Sequence, residues 1–240
     1  MRPTLAIARR ELRSAWNSPV AYVLVVGFLV FCAGWLYFVR GFFAAGLADL
    51  RPYFGLMPLA FAFLAPAATM RSWAEERRLG TYELLLTMPF SEGELVLGKF
   101  IASLSTLGAA LLLSLPVPLT ASLLGSFDPG VLAGQYLGAL LAAATATAAG
   151  EWVSSLAKNQ VSAFVAAASL LLALVLVDRL AAFLRLGGAA AGLAAWLSMS
   201  RHFESLSRGV LDGRDLAYYL ATSGVFLYLT AWNVRRRKWS

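Results

Sequence analysis

Charge is scarce in this chain. Only 14% of its 240 residues are Asp, Glu, Lys or Arg, and 60% are apolar. Soluble domains carry about 25% charged and about 45–50% apolar residues. That balance excludes a water-soluble domain and leaves no stretch for a soluble catalytic one. Cysteine and histidine are scarcer still, one of each. A single cysteine, Cys32, cannot close an intramolecular disulfide, and inside an apolar run it reads as a small hydrophobe. A single histidine, His202, with no cysteine or histidine company argues against a dedicated metal site. A cleavable leader is not expected either. The first apolar run, 20–39, exceeds an h-region of about 7–15 residues, and 19 residues precede it. It is expected to stay as an anchor.

What the chain has instead is long apolar runs. A bilayer core of about 30 Å takes about 20 helical residues. Runs of that order fall at 20–39, 52–69, 100–125, 131–156, 161–180 and 216–232. The expected fold is an all-α integral membrane protein of six transmembrane helices, one domain over 1–240. Pro58 and Pro66 interrupt the second run, and Pro116 and Pro118 are expected to kink or break the third. In 2–17, Leu5, Ala8, Leu12 and Ala15 or Trp16 recur at helical spacing while Arg9, Arg10 and Arg13 point largely elsewhere. That pattern suits an interfacial amphipathic helix, or a plain basic anchor. In 186–214 the apolar run is too short to span and suits re-entrant or interfacial helices at the outer face. The fourth span carries Gly134, Gly138, Ala142, Ala146 and Gly150 at intervals of four, a stripe expected to let another helix approach closely.

Net charge is +7, but the basic residues cluster at the flanks of the runs. They point to membrane lipids as partners, not nucleic acid. Thirteen of the twenty Lys and Arg fall on one side of a six-span arrangement. The positive-inside rule then places both termini in the cytoplasm.

The densest charged block, 75–99, lies between the second and third runs. It reads Glu-Glu-Arg-Arg-Leu-Gly-Thr-Tyr-Glu-Leu-Leu-Leu-Thr-Met-Pro-Phe-Ser-Glu-Gly-Glu-Leu-Val-Leu-Gly-Lys. Tyr82, Leu84, Leu85, Leu86 and Met88 are too apolar for a solvated loop and too few to cross a bilayer. A short helix over 75–90 that seats in a groove of a soluble partner accounts for them. Ser91 and Glu94 have capping-box spacing ahead of the next run. Gly93 to Lys99 imitates the spacing of a P-loop, but Phe100 stands where Ser or Thr must hold Mg²⁺, and no strand precedes it. Glu151, near the inner end of the fourth span, is expected to pair with Lys158 or reach the N-terminal helix. Asp178, Arg179 and His202 are expected at the outer interface. Ser103, Ser105, Thr106 and Ser114 have no His or Lys at their depth, so an intramembrane enzyme is disfavoured and no catalytic residue is assigned.

Six spans, an interfacial N-terminal helix and the block Gly80-Thr81-Tyr82-Glu83-Leu84-Leu85 closing at Pro89 resemble the permease subunits of the ABC-2 exporter family. Residues 155–160 and the segment from His202 to Asp215 are similar to that family's turn between spans four and five and its outer segment. The match points to the branch of the gliding-motility and nitrous-oxide reductase maturation permeases. The resemblance implies a type V exporter-like fold, with 75–90 as the cytoplasmic coupling helix. It implies Glu75, Glu76, Arg77, Arg78, Gly80, Thr81, Tyr82 and Glu83 as contacts for a cytoplasmic ABC ATPase subunit. ATP and Mg²⁺ would sit on that partner, with no cofactor in this chain. A second permease copy or paralogue, and the bacterial inner membrane, are implied as well. The alternative is a subunit that transmits force to periplasmic proteins without transporting. The cargo is not readable from the sequence.

Overall fold

The computed structural model describes residues 3–40, 49–82, 90–122, 125 and 128–238, with residues 237 and 238 described by backbone alone. No strand occurs among them. Helix α1 is Pro3–Trp16, and α2 is Pro19–Gly34, continued by a π-helical turn Trp35–Val39. Ser18 caps α2 from outside and Pro19 opens it, a combination suited to a helix start. The next apolar segment is built from two pieces: α3, Arg51–Phe54, and α4, Met57–Thr69. Pro58 lies in the first turn of α4, where its missing N–H costs nothing, so it starts that helix instead of interrupting it. Helix α5 is Ala74–Arg78.

Helix α6 runs Glu92–Leu113, well before residue 100 where the apolar run begins. The capping box explains the early start: Ser91 N donates to Glu94 Oε2 at 2.9 Å, and Glu94 N to Ser91 Oγ at 3.3 Å. The chain breaks after Leu113 and resumes as α7, Pro116–Ser122. Helix α8, Pro129–Leu156, is capped by Asp128, and α9, Gln160–Phe183, by Asn159. Two short helices, α10 (Gly188–Leu197) and α11 (Met199–Ser207), precede α12, Gly213–Lys238.

Helix α8 is central and packs on α12, α4, α9, α6 and α11. Its small residues are what permit this. A Cβ on Gly134 would come 2.8 Å from the Gly209 carbonyl oxygen, and one on Gly138 would come 2.7 Å from Leu206. Gly150 faces Thr69 of α4, and Ala142 and Ala146 are fully buried. The stripe therefore faces other segments of the same chain: the turn at Gly209, α11 at Leu206 and α4 at Thr69. Phe28, Tyr53, Phe54, Phe61, Phe203 and Tyr219 join it in one core.

Five segments are long and apolar enough to cross a membrane: Pro19–Val39, Arg51–Arg78, Glu92–Ser122, Pro129–Leu156 and Gln160–Phe183. The sequence expectation was six. Helix α12 has 26 residues, a length of about 39 Å. Tyr218, Tyr219, Ser223, Tyr228 and Thr230 dilute its apolar character, and it falls outside that set.

Candidate functional site

Helix α5, at the start of the charged block, is only five residues long and is held by its neighbours. Its first amides are satisfied from α8: Trp73 N and Ala74 N donate to Ser154 Oγ at 3.2 and 3.4 Å. It ends at Gly80, whose φ of +70° is the left-handed conformation glycine supplies without strain. Thr81 N reaches Glu76 O at 3.0 Å and Gly80 N reaches Arg77 O at 3.2 Å, the paired bonds of a Schellman stop.

The Arg77 guanidinium donates to the carbonyls of Ser155, Leu156 and Ala157. It thus closes the C-terminus of α8, where exposed carbonyls and the helix dipole both favour a cation. Asn233 of α12 donates to Ser155 O from its own side at 2.9 Å. Gln160, at the start of α9, donates to the Glu75 carboxylate, which also pairs with Arg78 at 2.6 Å. Helix α5 and the turn between α8 and α9 are therefore one bonded unit. The expected contact residues divide accordingly: Arg78, Gly80 and Thr81 are exposed, whereas Glu76 and Arg77 turn into the protein. Tyr82 lies 6.3 Å from Trp73, ring to ring. Glu83 and the rest of the expected coupling helix to residue 89 lie outside the described residues.

A second group was not anticipated from the sequence. Lys99, on the imitation P-loop, is in α6 with its side chain 1% exposed. Its ammonium donates to Glu76 Oε1 at 2.8 Å and Ser72 O at 2.7 Å, and lies 3.4 Å from Glu11 Oε1. It also lies 5.0 Å from the centre of the Trp73 ring. Arg10 completes the cluster, 2.6 Å from Glu11. Burial pulls the Glu11 carboxyl upward, but Lys99 and Arg10 outweigh it and hold the group below the usual carboxylate range. The hydrogen bond to Glu11 in turn raises the Arg10 guanidinium. The signal available was Lys99 itself, a cation on a helix continuous with an apolar run.

Glu151 does not meet Lys158. It is fully buried and accepts from Ser72 Oγ at 2.6 Å and Ser103 Oγ at 2.9 Å, while Lys158 is exposed. The physical reason is that α8 stops at Leu156, so Lys158 sits in the turn and the helical register no longer applies. Ser72 joins the two groups: its carbonyl accepts from Lys99 and its hydroxyl donates to Glu151. The network thereby ties α1, α5, α6 and α8 together at one end of the bundle. Beside it lies a cavity of about 560 Å³ between α1, α2, α4 and α6.

The residues expected at the other end form a separate clamp. His202 Nδ1 lies 2.7 Å from Asp215 Oδ1, its Nε2 lies 3.0 Å from Trp196 O, and its ring stacks on Tyr218 at 3.9 Å. Ser205 donates to the same Asp215. This fixes α11 to the start of α12. Asp178 and Arg179 lie near the C-terminal end of α9, Asp178 half-buried and Arg179 exposed.

No curated protein matches this chain. The family model described as ABC-2 family transporter protein matches residues 5–234. That family implies an ABC ATPase partner and a dimeric assembly. With its five apolar segments of spanning length, this multi-pass membrane chain belongs to the ABC-2 transporter family as a permease subunit of an ABC transporter.

Proposed function

We propose that the chain is the permease of an ATP-driven exporter in the bacterial inner membrane, with six spans and both termini cytoplasmic. Its ATPase subunit carries ATP and Mg²⁺ and seats on the block 75–90, and two permeases pair to form the transport path. Helix α12 serves as the sixth span. In support, Tyr219 OH donates to Met199 O and the Ser223 and Thr230 hydroxyls to carbonyls of α12 itself, while Leu220, Val225, Tyr228 and Trp232 face outward. Polar groups satisfied inside and apolar groups outside suit a lipid-facing helix.

The observation that carries the reading is the double attachment of α5. Arg77 and Ser154 bind it to the inner end of α8, and Glu76 with Lys99 binds it to α6 and α1. A push or pull on a segment so attached is delivered to three helices at once. The exposed residues Arg78, Leu79, Gly80 and Thr81 are left for the ATPase to meet. In the gliding-motility-like alternative, the same lever would pass force to periplasmic proteins instead of cargo.

Gly80→Pro removes the N–H donated to Arg77 O and cannot adopt φ +70°. It is expected to leave membrane insertion intact and to weaken ATPase capture in a pull-down by about tenfold or more, as loss of a docking geometry worth about 1.4 kcal/mol would. Unchanged capture would refute the seat. ATPase activity in proteoliposomes stimulated by cargo would favour export, and stimulation only by a partner protein would favour force transmission.

A further inference from the structure

The cavity beside the ionic cluster has two kinds of wall. Ala21 and Leu24 of α2 and Ala68 of α4 make one side apolar, in segments of spanning length. Ser14, Ser18 and Arg71 make its rim polar, where α1 joins α2 and where the chain leaves α4. A polar rim over an apolar wall, at the ends of membrane-crossing helices, marks the depth where headgroups give way to acyl chains.

Charge decides what the rim would take. The carboxylates at this cavity already have cations: Glu11 has Arg10 and Lys99, Glu76 has Lys99, and Glu75 has Arg78. Among the described residues no carboxylate pairs with Arg71. Its one bond among the described residues is to Ser18 Oγ at 3.1 Å, and it is exposed. A guanidinium presents five donors in a planar fork that matches phosphate oxygens, so most of this fork is still available.

The geometry points to a binding site for a phospholipid with a net negative head, resident in the protein and distinct from its cargo. The phosphate sits against Arg71, Ser18 and Ser14, and one acyl chain runs along Ala21, Leu24 and Ala68. The volume of about 560 Å³ falls within the range of about 300–1,000 Å³ for ligand sites. It holds a head and part of one chain, with the remainder in the bilayer. The apolar wall is the reason to choose a lipid over free phosphate, because phosphate alone would leave it uncovered. The inference does not depend on how the ATPase docks.

The test is lipid binding to the purified full chain in detergent, followed by native mass spectrometry. Dioleoyl phosphatidylglycerol, dioleoyl phosphatidylcholine and inorganic phosphate are the probes. Phosphatidylglycerol should bind at least about tenfold more tightly than phosphatidylcholine, whose phosphate can meet Arg71 as well but whose choline cation offsets the negative charge that Arg71 attracts. Arg71→Ala should abolish that preference and Arg71→Lys should keep part of it, both with an unchanged thermal midpoint. Ala68→Leu, which fills the apolar wall, should weaken phosphatidylglycerol without removing the preference. Equal binding of the two lipids, or a preference that survives Arg71→Ala, would overturn the site. Displacement of phosphatidylglycerol by millimolar phosphate would show that it takes a free anion, and would overturn the lipid assignment.

Discussion

Lys99 is the residue on which the α1 end of the bundle converges. Its ammonium is out of water and faces Glu76 at 2.8 Å, Ser72 O at 2.7 Å and Glu11 at 3.4 Å. Removing one member of a buried ionic group leaves the others uncompensated, at a cost of about 3–5 kcal/mol. Lys99→Met is expected to destabilise the detergent-solubilised protein by about that amount, read as a fall in its unfolding midpoint. Adding Glu76→Gln should restore part of the loss, because the stranded charge is then gone. Equal midpoints for wild type and Lys99→Met would mean that the cluster is not closed in solution. Glu11 adds a pH dependence. Its folded carboxyl lies below its unfolded value because Lys99 and Arg10 outweigh burial. Its contribution is therefore complete above the ordinary carboxylate pKa of about 4.3 and is lost as pH falls through the lower folded value. Wild-type stability should drop in that acid window, and Glu11→Gln should drop less.

At the scale of elements, the contact between α1 and α6 depends on one missing side chain. A Cβ on Gly98 would come 2.7 Å from Ile7 Cγ2 and 3.1 Å from Thr4 O. Gly98→Val should push α1 from α6 and destabilise the protein by about 1–3 kcal/mol, the usual cost of overpacking. Ile7→Ala with Gly98→Ala should recover stability relative to Gly98→Ala alone, in the same thermal measurement. Five of the six expected spans were legible as apolar runs because a bilayer demands their length, and the start of α6 was legible in Ser91 and Glu94. Helix α1 and the stripe on α8 were legible as patterns, but not as surfaces that pack on α6, α4 and α11. The cluster was not legible, because Lys99 meets carboxylates 23 and 88 residues away. Nor was the grip of Arg77 on Ala157, 80 residues on. Glu151 could be singled out as a buried acid, but its hydroxyl partners lie on Ser72 and Ser103, and nothing local to residue 151 names them.

For the whole molecule, the two ends are built differently. One end carries the bonded unit of α5, the turn after α8, α1 and the cavity. The other carries a compact clamp of His202, Asp215 and Ser205. Such a division suits a machine that receives motion at one end and holds its helices together at the other. It requires the α5 end to face the cytoplasm and to be covered by the ATPase. Leu79, 62% exposed beside the α5 stop, reports on both. The most direct measurement is the labelling of Leu79→Cys by a membrane-impermeant maleimide, with the native Cys32 silent because it is buried. The expected result is no labelling in intact cells, labelling in inverted vesicles stripped of ATPase, and protection when the ATPase subunit is restored. Labelling from the periplasmic side, or equal labelling with and without the ATPase, would contradict the claim that this end is where the permease is driven.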